Sequence, residues 1–161
     1  MSGLRIIKGT CLYTQSFEPP IEPPTAVANT QLLLNFTNGA IFDDTAKNVL
    51  ETVGNASLSS TQAKYGGTSM YFDGTGDYLT FSNNSVFAFG TSAFTIEFWI
   101  YTPSVLNDKF FISGRGAIGT MHITSGGYGG STAGSLRYVG SSTITSGSTL
   151  VTDGLWHHCA I

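Results

Sequence analysis

The sequence predicts an all-β protein, a two-sheet antiparallel sandwich, and three observations carry that expectation. Many short runs of aromatic and branched residues are separated by glycine-containing turns. No long segment repeats its apolar residues at a 3.6-residue period, so helix content should be low. Three blocks stand out as strands: FDGTGDYLTF (Phe72 to Phe81), FTIEFWIY (Phe94 to Tyr101) and LWHHCAI (Leu155 to Ile161).

From the start, SGLRIIKGTCLYT alternates, with Leu4, Ile6 and Lys8 on one side and Arg5, Ile7 and Gly9 on the other. Residues 1–17 are therefore strand-like but too short to fold alone. Residues 18–30 hold EPPIEPPT, which cannot donate a regular ladder and reads as an extended linker. Residues 31–161 form the main body. It opens with Gln31 to Phe36, where Leu32, Leu34 and Phe36 share a face, followed by an Asn38-Gly39 turn signal. Phe42 to Glu51 is polar and reads as a loop or one helical turn.

Met70 to Asp73 and Tyr78 to Phe81 read as strands joined by Gly74-Thr75-Gly76-Asp77. In Phe94 to Tyr101, Phe94, Ile96, Phe98 and Ile100 form one apolar face, and Trp99 and Tyr101 lie on the other with Thr95 and Glu97. A strand apolar on much of both faces belongs inside a sheet. Lys109 to Ser113, Met121 to Thr124, Leu136 to Val139, Ser142 to Thr145 and Leu155 to Ile161 complete the strands, with a Gly-rich loop over Ser125 to Ser135.

Of the 161 residues, 41% are hydrophobic and 11% charged, with a formal net charge of −3. Enough apolar material exists for a core, and the surface must rely on Ser, Thr, Asn and Gly. Lys and Arg are scattered singly, which excludes a phosphate-tracking nucleic-acid surface. No window holds the apolar run needed to insert in a membrane. The start lacks the apolar core of a signal peptide. Cys11 and Cys159 sit in strand-like runs and read as reduced core residues.

From Gln31 to Ile161, the succession LLLNF, KYGGTSMYFDGTGDYLTF, FTIEFWIY and DGLWHHCAI resembles laminin-G-like, concanavalin A-like lectin/glucanase jelly rolls, in particular the tandem copies in bacteriophage tail and virion proteins. The resemblance implies a jelly-roll sandwich with the FTIEFW strand and Trp156 in its core. SGLRIIKGTCLYTQSFEPP resembles the last strand and exit of a preceding copy, and the family continues past W-H-H. The expectation is thus an incomplete domain, truncated at its C-terminus, with the N-terminal strand able to fill the vacant closing position.

The resemblance also implies a role in contacting glycans or building surfaces, and related glucanases make catalysis the first point to weigh. Glycoside hydrolysis needs two opposed carboxyls, and Glu97 is the only acid on its strand. No G-x-S-x-G elbow is present. Gly114-Arg115-Gly116-Ala117-Ile118-Gly119 matches a dinucleotide loop, but strand-like Met121 to Thr124 follows it where a helix is required. His157 and His158 point to opposite faces of a strand and cannot share one ion, and His122 would have to join one of them.

Calcium is the one cofactor to consider, since several laminin-G-like modules hold it on a rim loop. Asp73 and Asp77 are the candidate ligands, Asp43-Asp44 a weaker pair. The commoner role for such acids is to cap turn amides. For sugar binding, Arg115, Tyr128 and Tyr138 are the candidates.

The function expected is a non-catalytic surface or adhesion module of a phage tail or virion protein, on the virion surface or extracellular. Its partners would be a host glycan or cell-surface polysaccharide, other copies of the module, or virion proteins. The alternatives are a carbohydrate-binding accessory module of a secreted bacterial enzyme or adhesin, and a glycan-cleaving enzyme whose acids lie elsewhere.

Overall fold

Alternation of Leu4 and Ile6 against Arg5 and Ile7 makes Ser2–Lys8 a strand, β1, buried on both faces over nearly its whole length. The structure is a computed structural model, and it describes residues 1–37, 41–82, 84–114, 121–127, 131–140 and 144–161. The further strands are β2 (Thr30–Leu34), β3 (Leu50–Val53), β4 (Ser57–Ser59), β5 (Ser69–Tyr71), β6 (Tyr78–Phe81), β7 (Phe94–Tyr101), β8 (Phe110–Ser113), β9 (His122–Ser125), β10 (Ser135–Val139), β11 (Ile144–Leu150) and β12 (Trp156–Ala160). The only helical element among the described residues is a 3-10 turn, Ser85–Phe87, capped by Asn84. All described strand pairings are antiparallel.

The chain divides into two compact units. The first comprises Met1–Ser82, Phe89–Trp99 and Ala160–Ile161. Here β1 lies between β2 and β7 in one sheet. Leu4 faces Leu34 and Ile6 faces both Leu32 and Ile96, which builds an apolar layer with Phe98. The opposite face carries Arg5, Glu97 and Trp99, with Tyr65 meeting Trp99 edge-on. At the chain end, Ile161 exchanges two hydrogen bonds with Ile96. The segment 1–17 thus shares a sheet with residues beyond the proline-rich stretch.

Two small ladders, β3-β6 and β4-β5, complete this unit. The two strands expected on either side of Gly74 to Asp77 take different partners: β5 pairs β4 and β6 pairs β3. Leu58 stands opposite buried Met70, and Leu50 opposite Phe81.

The second unit comprises Asn83–Ala88 and Ile100–Cys159, with a sheet ordered β11-β10-β9-β8. Ile123 of β9 is fully buried between Ile112 and Tyr138 as register neighbours. β11, described from Ile144, runs on to Leu150, five residues past the expected end at Thr145, and is exposed throughout. Trp156 is half-buried and tilted against Tyr101, with ring centroids 5.8 Å apart. Both cysteines are free, but only Cys159 is a core residue. Cys11 is exposed, because the chain leaves the sheet after Lys8.

Candidate functional site

Strand parity creates the most open aromatic pair of the first unit. Met70 of β5 points inward with 1% exposure, so Tyr71 beside it must point out, and 51% of it is exposed. Across the following turn, Tyr78 opens β6 with 52% exposure. Tyr71 stands opposite Ser57, and Tyr78 opposite Val53.

The turn between the tyrosines is locked by its own acids. Asp73 Oδ1 accepts from the Thr75 amide at 2.7 Å. Asp77 Oδ2 accepts from the Asp73 amide at 2.9 Å, and its Oδ1 accepts from the Asn55 amide at 2.9 Å. Asp77 therefore ties the Asp73 turn to the Gly54-Asn55 turn that joins β3 to β4. Gly54 permits the approach: its φ is +76°, and a Cβ there would lie 2.3 Å from Asp77 Oδ1. Among the described residues, Asp73 Oδ2 and the exposed Asn55 side-chain amide keep hydrogen-bonding capacity free.

Beside these turns runs a shallow groove of about 460 Å³, lined by Ile41, Leu50, Thr52, Ala56, Ser57 and Leu58. Tyr71, Tyr78 and Asp73 are not among its lining residues, and Tyr78, paired with Val53, faces away from Leu50 and Thr52. Open aromatic rings and a carboxylate are groups that a sugar ring engages: CH faces on aromatics, hydroxyls on planar polar groups.

Of the sequence candidates, Asp73 and Asp77 are brought together in this turn, and three of their four oxygens accept backbone amides. Tyr138 lies in the second unit on β10, half-buried, and burial raises its phenol pKa. Arg115 and Tyr128 lie outside the described residues, as do the rest of the 115–119 loop, Asn38-Gly39 and Ser142. The sequence reading missed Tyr71 and Tyr78. The signal was available, because alternation from an apolar Met70 sends Tyr71 to solvent.

Three further acids, Glu97, Asp43 and Asp44, are engaged structurally. Glu97, 1% exposed, forms an ion pair with Arg5. Arg5 Nε lies 2.6 Å from Glu97 Oε1, and the Tyr13 hydroxyl donates to Oε2 at 2.5 Å. Burial, and then the hydrogen bond to Glu97, push the Tyr13 phenol up to about 12. Asp43, buried, accepts from the Leu33 amide at 2.9 Å and from Thr45 and Asn48. Burial alone would raise its pKa, but these donors together hold it below the usual carboxylate range. Asp44 accepts from Asn35 at 2.8 Å.

His157 bonds Asp153 at 2.8 Å, and His122 approaches Ser113 at 3.3 Å. Among the described residues, no group of three or more His, Cys, Asp or Glu is placed to hold a metal ion. No helix there is long and apolar enough to cross a membrane.

A laminin G family model, described as the concanavalin A-like lectin/glucanases superfamily, matches residues 73–161. No curated protein and no solved structure matches the chain.

Proposed function

The chain belongs to the concanavalin A-like lectin/glucanase superfamily, and from that membership we propose that it is a non-catalytic glycan-binding module. The observation that carries this reading is the pair of open tyrosines, Tyr71 and Tyr78, flanking the Asp73-Asp77 turn. A pyranose would lay its apolar face on one ring and direct hydroxyls to Asp73 Oδ2, the Asn55 amide and the Ser57 hydroxyl. Calcium is dispensable in this reading, because the acids of the turn already have amide donors.

The non-catalytic part rests on Glu97. The related hydrolases place acids along one strand facing the cleft, whereas Glu97 is sealed beneath Arg5 and Tyr13. The setting we propose is the surface of a phage tail or virion. There a coat rich in Ser, Thr, Asn and Gly stays soluble while its loops meet host polysaccharide.

The test is a glycan panel followed by titration calorimetry on the full chain. Tyr71→Ala and Tyr78→Ala should each weaken binding about tenfold, the scale of losing one aromatic stacking contact. A chelator should leave affinity unchanged, and no reducing sugar should be released. Binding indifferent to both tyrosine changes would remove this site, and sugar release would remove the non-catalytic reading.

A further inference from the structure

β1 is the first strand of the chain, yet it occupies an interior position, with β2 on one edge and β7 on the other. Its backbone is tied beyond the sheet as well: Met1 and Met70 exchange hydrogen bonds at 2.8 and 2.9 Å, and the Gly9 amide donates to Ala93 at 2.6 Å. Residues 9–29, an irregular stretch containing Pro19, Pro20, Pro23 and Pro24, join the strand to β2. The two ends of that stretch lie side by side, since the Lys8 amide reaches the Asn29 carbonyl at 3.3 Å. A two-residue hairpin would close the same gap. The connection is far longer than closure demands, and the cost of length rises only slowly.

Most of what holds β1 comes from residues that follow this connection, 30–34, Met70 and 93–99, while within the connection the Thr25 carbonyl accepts from Arg5 and the Asn29 carbonyl from Lys8. We propose that the slot between β2 and β7 is a strand-acceptor site, and that Ser2–Lys8 of a second copy of this chain can fill it. The second copy would make the same contacts, with the long connection crossing between molecules, which is the geometry of exchanged elements in general.

Register is enforced by Arg5 and Glu97. A slip of one residue would set an apolar side chain against the buried carboxylate. In dilute solution the chain's own strand holds the slot, because the connection keeps it at high effective concentration. Exchange belongs to conditions where β1 is released among many copies.

The test inverts that pair in separate chains. Arg5→Glu and Glu97→Arg each place like charges together within their own chain. Two exchanged strands between one copy of each variant restore both opposite-charge pairs. Refolded as an equal mixture, they should give a heterodimer, with the dimeric fraction about a hundredfold above either variant alone. The double variant Arg5→Glu/Glu97→Arg should refold as a monomer and shows that the inverted pair is tolerated. A mixture that stays monomeric and melts as the sum of its parts overturns the proposal.

If the inverted pair is not tolerated, cysteine trapping decides. Lys8→Cys and Phe94→Cys, each made with Cys11→Ser, occupy partner positions in the β1-β7 register. Oxidation after joint refolding should give a disulfide-linked dimer, and monomers alone overturn the proposal. Neither assay involves glycan, so its failure is independent of the binding reading.

Discussion

Glu97 and Arg5 are separated by 92 positions in sequence and pair in a buried layer. Removing either partner strands a charge. Glu97→Leu should therefore cost about 3–5 kcal/mol in urea denaturation, and Arg5→Met/Glu97→Leu should recover most of it. Sequence alternation placed both side chains on definite faces, but their pairing was illegible, because nothing local reports which strands become neighbours. Asp43 acts through pH instead. Its folded carboxyl sits below the ordinary range, so its contribution is complete above the unfolded value of about 3.9 and is lost as pH falls through the folded one. Asp43→Asn should lower the urea midpoint at neutral pH and flatten its decline on acidification, read as midpoint against pH.

At the level of elements, the strongly patterned strands were legible and the weak ones were not. β7 carries eight residues of clear two-fold alternation. β3 and β4, with sequences LETV and SLS, offer too few residues and too mixed a polarity to show a period. Their existence is decided by partners elsewhere, Phe81 and Met70 among them. β1 adds a detail that alternation hides. Its register against β7 shifts between Ser2 and Arg5, and Gly3 sits in that interval with φ +59°. A side chain there meets both the left-handed backbone and the Pro24 ring, 2.9 Å from the Cβ position. Gly3→Ala should destabilise the protein by about 1–2 kcal/mol, measured by thermal or urea unfolding.

For the whole molecule, the ordered motifs pointed to the superfamily that the family match supports over residues 73–161. The open tyrosines were harder to see, because an exposed aromatic and a buried one look alike until strand parity is anchored. The charge balance bears on the ligand. With 7 basic and 10 acidic residues there is no cationic field to gather an anionic polymer. Binding through aromatic faces and hydroxyls should change less than about twofold in affinity between about 0.05 and about 0.5 M salt, measured by calorimetry. A steep loss with salt would mean that an ionic polysaccharide is held by charge instead.

The two thiols differ in a way that makes the protein easy to instrument. Cys159 is buried, its pKa pushed up to about 12, and an alkylating dye will pass it by. Cys11 is open to the medium two residues before Tyr13, whose phenol rests on the carboxylate of Glu97. A maleimide fluorophore would thus label the native chain at one place, without mutagenesis, beside the segment whose detachment it could report in real time.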